Sequence, residues 1–119
     1  MGTDCYIALE ETDGTIRYIY CHFDGYLSGV GKQLYTYYKT RELVSTLVEK
    51  GSIVSLELPI HEMKHYEPIK TFKADDIYEF ESNFFNEPTI QYYYLFTIDN
   101  EWACKNKGLI YLHDLFDKK

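Results

Sequence analysis

Residues Ile90 to Ile98 alternate with a period of two. Ile90, Tyr92, Tyr94, Phe96 and Ile98 take one parity, and Gln91, Tyr93, Leu95 and Thr97 take the other. Successive side chains of a β-strand point to opposite faces, so this segment reads as a strand and commits the chain to a sheet. Residues 5–10 and 16–23 read as two more strands, separated by Thr12-Asp13-Gly14-Thr15. Gly tolerates positive φ, which makes this a strong hairpin signal. With Asp13-Gly14 as a two-residue loop, paired residue numbers sum to 27. Cys5 then faces His22, Tyr6 faces Cys21, and Cys5 and Cys21 fall on opposite faces with no disulfide between them.

Helical periodicity follows the hairpin. Ser28 is an N-cap candidate for a helix whose stripe is Val30, Leu34, Tyr37 and Tyr38. Thr40 precedes a second helix over about 41–50, with Leu43, Val44, Leu47 and Val48 as its buried face and Gly51 as its C′ residue. Ser52 to Leu58 alternates and is expected to return to the sheet, whereas 59–73 is ambiguous. Asp75 to Phe85 fits a short amphipathic helix capped by Asp75, with Ile77, Phe80, Glu81 and Phe84 on one side. Trp102–Lys105 and Leu109–Leu112 complete the apolar segments, and a tail helix runs through Phe116. The expected fold class is α+β in one domain spanning 1–119: a mostly antiparallel sheet, made of an N-terminal hairpin and a C-terminal meander, with a helical pair packed on it.

Charge narrows the function classes. The 12 Lys plus Arg stand against 19 Asp plus Glu, for a net charge of −7. Nucleic-acid affinity comes largely from neutralising phosphates, so direct nucleic-acid binding is not expected. Small ligands, basic proteins, or proteins that themselves bind nucleic acid remain. No apolar run approaches the ~18 residues of a membrane span. Met1-Gly2-Thr3-Asp4 lacks the basic start and apolar stretch of a signal peptide. Three cysteines, an odd count, fit a reducing cytoplasm.

Three motifs could carry chemistry. His61-Glu62-Met63-Lys64-His65 is a literal H-E-x-x-H, the pattern by which a zinc protease places two ligating His on one helix face with the Glu as general base, and a small zinc protease is the remote alternative function. Its context is poor, because Pro59 and Pro68 limit any helix to about two turns and no third ligand stands at a standard place. His61 and His65 are therefore the weakest of the candidates, and no metal or cofactor is expected. The second motif is Gly25 to Lys32, a glycine-rich corner one residue too long for a phosphate loop, with Gln33 in place of the hydroxyl. Backbone N–H groups at a helix start favour an anion. Gly29, Gly31 and Lys32 are thus candidate phosphate donors, with Tyr26, Tyr35 or Trp102 to stack on a base and His22 or Asp24 to bond a ribose. The competing explanation is a tight corner in which the glycines only permit the turn. The third motif is the stretch Ala74 to Cys104, which has no Lys or Arg but carries Asp75, Asp76, Glu79, Glu81 and Glu87 among nine aromatics. Acids beside aromatics suit a basic partner, and equally a solvated face over an aromatic core. No Ser/His/Asp or Cys/His constellation is defensible.

Ile19-Tyr20-Cys21-His22-Phe23-Asp24-Gly25-Tyr26, then Gly29-Val30-Gly31, Leu34, Tyr37 or Tyr38, and Leu43 to Gly51 resemble a group of small phage and prophage proteins. Their recurring pattern is Ile-Tyr-Cys-His-Trp-Asp-Gly-Tyr, then Val-Gly, a Leu/Tyr helix and a second helix ending in Gly. Phe23 replaces the Trp, and the similarity covers roughly residues 5–57. The resemblance implies a phage protein acting in the cytoplasm of an infected bacterium, where small acidic proteins antagonise host defence. Two non-enzymatic mechanisms are expected from it, the first as the primary reading and the second as the alternative. One is sequestration of a nucleotide-derived signal at the glycine corner, with a homo-oligomer supplying shared sites. The other is inhibition of a nucleic-acid-binding defence protein, anti-CRISPR-like, through the acidic aromatic stretch.

Overall fold

A computed structural model describes residues 3–54, 56, 70–105 and 109–112. Six strands form one sheet: β1 (Asp4–Glu10), β2 (Ile16–Cys21), β3 (Phe72–Ala74), β4 (Ile90–Phe96), β5 (Trp102–Lys105) and β6 (Leu109–Tyr111). Their spatial order is β3-β2-β1-β4-β5-β6. Every neighbouring pair is antiparallel except β1–β4, which is parallel. The fold is α+β, with the expected N-terminal hairpin and C-terminal meander joined at the β1–β4 seam. The motif His61–His65 and the tail through Phe116 lie outside the described residues.

The hairpin register differs by one residue from the expectation. Cys5 pairs with Cys21 and Ile7 with Ile19, so paired numbers sum to 26. The loop has three residues, Thr12 to Gly14: Glu11 N–H bonds the Thr15 carbonyl at 2.8 Å, and Gly14 has φ of +91°. This is the type I turn plus left-handed residue of three-residue hairpins. The Asp13 carboxylate locks it by accepting from both the N–H and the hydroxyl of Thr15. A one-residue slip swaps faces. Cys5 and Cys21 therefore lie directly opposite each other as free buried thiols, and His22 loses Cys5 as its partner.

Each sheet face carries a core. Parity sends Cys5, Ile7, Leu9, Ile19, Cys21, Tyr94, Phe96 and Trp102 to one face, beneath helices α1 (Lys32–Tyr37) and α2 (Arg41–Glu49). Tyr6, Ala8, Ile16, Tyr18, Tyr93 and Leu95 face the other side, beneath helix α3 (Ile77–Phe85). Thr40 caps α2 by accepting from Leu43 N–H at 3.2 Å, and Gly51 turns away at φ +84°. Val44, Leu47 and Val48 are buried as expected, but Leu43 is exposed. Ser28 is not an N-cap: it sits inside a π-helical turn, Leu27–Gly31, that precedes α1. Tyr37 points outward, whereas Val30, Leu34 and Tyr38 are buried. Within 52–58, the only strand-like pairing among the described residues is the isolated bridge Cys21–Ile53. Asp76, not Asp75, caps α3, accepting from Glu79 N–H at 2.8 Å. The Glu79 carboxylate accepts in turn from Asp75 N–H, a variant of the capping box.

Candidate functional site

The glycine corner is built from close approaches. A Cβ at Gly25 would sit 2.6 Å from the Thr3 carbonyl oxygen, one at Gly29 would sit 2.4 Å from the Asp24 carbonyl oxygen, and one at Gly31 would press on the Tyr94 ring at 3.1 Å. Tyr94 is fully buried and its hydroxyl donates to the Gly25 carbonyl at 2.7 Å, pinning the corner to β4. Burial pushes that phenol well above its ordinary range, so it remains a neutral donor. Asp24 itself adopts φ of +62°, uncommon for a residue with a side chain.

The proposed phosphate donors are already engaged within the chain. Gly29 and Gly31 N–H groups bond the Tyr26 carbonyl at 3.0 and 3.4 Å, Val30 N–H bonds the Asp24 carbonyl at 2.8 Å, and Lys32 N–H bonds the carbonyls of Gly29 and Leu27. These bonds close the π-helical turn, and α1 adds only six residues behind it. Tyr26 and the Lys32 side chain are exposed, whereas Tyr35 packs half-buried against the core under Lys39. Trp102 does not reach the corner as a stacking surface. It is 4% exposed, packs edge-on against Phe96, and donates its indole N–H to the Tyr38 carbonyl at 2.8 Å.

His22 belongs to a different cluster. The corrected register brings it to Asp4, with Nδ1 3.2 Å from Oδ1. The Tyr20 hydroxyl donates to the other Asp4 oxygen at 2.8 Å and lies 3.0 Å from His22 Nδ1. Asp4, Tyr20 and His22 thus form one polar cluster at the end of the hairpin. The Phe23 ring lies tilted against the imidazole, 4.2 Å between centroids. Sequence reasoning missed Asp4 and Tyr20, and the only available signal was the loop length that sets the register.

The acidic aromatic stretch resolves into an inner and an outer set. Phe80 and Phe84 point inward and make edge-to-face contacts with Tyr18 and Tyr93. Tyr78 and Phe85 point outward, 80% and 61% exposed. Seven residues apart on one helix, they stand on the same side, about 10 Å apart along the axis. Asp75, Asp76 and Glu79 are exposed around the start of the helix, and Glu87 is exposed beyond its end. Glu81 is not part of that surface. It accepts from Lys105 at 2.9 Å and from the Tyr93 hydroxyl at 2.8 Å. Lys105 first, then Tyr93, holds its carboxyl below the usual range against the opposing effect of burial. A depressed folded-state value contributes stability above the unfolded value, lost as pH falls through the folded one. The stability difference between wild type and Glu81→Gln should therefore be full at neutral pH, begin to shrink near the unfolded carboxylate value of about 4.3, and disappear only as pH falls through the lowered folded value. Thermal melts of both proteins across pH 7 to 3 check it.

Burial disfavours the thiolate at two of the three cysteines. Cys5 is raised well above its ordinary value, by burial first, and burial pushes Cys104 up to about 12. Among the described residues no group of His, Cys, Asp and Glu could hold a metal ion, and no helix is long and apolar enough to cross a membrane. No protein-family model, no curated protein and no solved structure matches the chain.

Proposed function

We propose that the chain is a non-enzymatic binding protein whose α3 surface engages a basic, nucleic-acid-binding protein. The setting is the one its N-terminal half suggests, a phage-encoded antagonist of host defence acting in the bacterial cytoplasm. One observation carries the reading: Tyr78 and Phe85 stand exposed on one side of α3, with exposed Asp75, Asp76 and Glu79 around the start of the helix and Glu87 beyond its end. Aromatics are enriched in binding hot spots, and flanking carboxylates steer a positively charged partner. Sequestration of a nucleotide-derived signal at the glycine corner has less support, because the corner's amides are engaged and Trp102 is buried.

The test is retention of a host protein from nuclease-treated lysate. Wild type should retain a basic protein, and Asp75→Lys, Glu79→Lys and Glu87→Lys together should reduce retention at least roughly tenfold at low salt. Failure of the wild type to retain such a protein, or equal retention by the charge-reversed variant, contradicts the reading.

A further inference from the structure

On the α3 face of the sheet, an open cleft of about 280 Å³ runs beside the ends of β2 and β4, lined by neither Tyr78 nor Phe85. Its walls include the rings of Tyr6, Tyr20 and Phe72, with Ile90 as further apolar lining. The charged side chain lining it is Glu87, with Thr89 adding a hydroxyl nearby. A second carboxylate, Asp4, lies behind the Tyr20 hydroxyl at 2.8 Å. The chain itself already lays a cation on this wall: Lys70 Nζ stands 5.3 Å above the Phe72 ring. We propose that this cleft is a binding site for a small organic cation carrying an ammonium or guanidinium group.

Aromatic faces attract cations through their ring quadrupole, and a carboxylate at the rim fixes the charged end. An anionic ligand meets the opposite field from Glu87 and Asp4. That field reaches the walls: Tyr6 is pushed up to about 12, by burial first, then by Tyr18 and the Glu87 carboxylate. Glu87 is the charged residue lining the cleft, and the Lys70 ammonium over Phe72 shows that the wall accepts a cation.

Calorimetric titration of the full chain with agmatine, putrescine and tetramethylammonium, and with adenosine monophosphate as the anionic control, tests the proposal. At least one of the cations should give saturable one-to-one binding, and the nucleotide none. Glu87→Gln should weaken the binding roughly tenfold, and Lys70→Gln, which removes the resident competitor, should tighten it severalfold. Both positions are exposed, so melting temperature should hold in each variant. Tyr78→Ala should leave cation binding unchanged, which separates this site from the exposed aromatic pair of α3. Absence of saturable binding by every cation, equal affinity in Glu87→Gln, or tighter binding of the nucleotide overturns the proposal.

Discussion

Gly25→Ala and Gly29→Ala are each expected to lower stability by about 1–3 kcal/mol, the usual range for overpacking a tight site. The obstacle at Gly25 is the Thr3 carbonyl, with Cys5 Cβ 2.9 Å away, and the obstacle at Gly29 is the Asp24 carbonyl. Backbone next to the ends of the interior strands β1 and β2 does not move aside as a side-chain tip would. Gly25 also donates its N–H to that Thr3 carbonyl at 2.8 Å, so a displaced corner loses a hydrogen bond as well. For a domain of this size, melting temperature should fall by about 4 °C per kcal/mol. Gly31→Ala should cost less, because it meets only the Tyr94 ring. Thermal melts of the three variants give the order directly. Unchanged melting in Gly25→Ala would mean that the glycines are not there for packing.

The second large effect concerns binding and leaves the fold alone. Tyr78→Ala and Phe85→Ala should each weaken capture of the partner by about 2 kcal/mol, roughly thirtyfold, if they are hot spots of the interface. Neither ring is buried, so each should change stability by less than about 0.5 kcal/mol. Phe80→Ala and Phe84→Ala, on the opposite side of the same helix, should do the reverse. They remove buried rings packed on Tyr18 and Tyr93 and should cost about 3–5 kcal/mol of stability. Measuring affinity and melting for all four variants separates a binding surface from a core. Loss of affinity only in the destabilised pair would contradict the assignment.

Local chemistry made much of the fold legible, and long-range geometry set where the legibility ended. Thr40, Gly51 and the Val44–Leu47–Val48 stripe announce α2, because capping and burial there involve neighbours in sequence. Asp13-Gly14 announces the hairpin, yet the same dipeptide serves two-residue and three-residue loops. The Thr15 bonds of Asp13 decide for three, and that single residue replaces Cys5 with Asp4 as the partner of His22. Strand β3 is three residues, Phe72–Ala74, too short to show a period. The parallel β1–β4 seam leaves no mark in either strand alone.

The site follows the same division. Glycines, a lysine and tyrosines close in sequence suggested an anion cradle, but the carbonyls of Asp24 and Tyr26 take the amides first. Trp102 was grouped with them by chemistry, and a hydrogen bond to Tyr38 places it in the core. The acidic stretch was visible as composition. Its division into inward Phe80 and Phe84, outward Tyr78 and Phe85, and Glu81 neutralised by Lys105 needed the helix and the sheet together.

The central claim is that α3 occupies a partner's nucleic-acid-binding surface, and competition tests it most directly. The host protein captured from nuclease-treated lysate is held on the immobilised chain, and an oligonucleotide that the captured protein binds is added in excess. The account predicts release of the partner as the oligonucleotide concentration rises, with the chain itself binding no oligonucleotide. A stable ternary complex, with partner and oligonucleotide retained together, would contradict it.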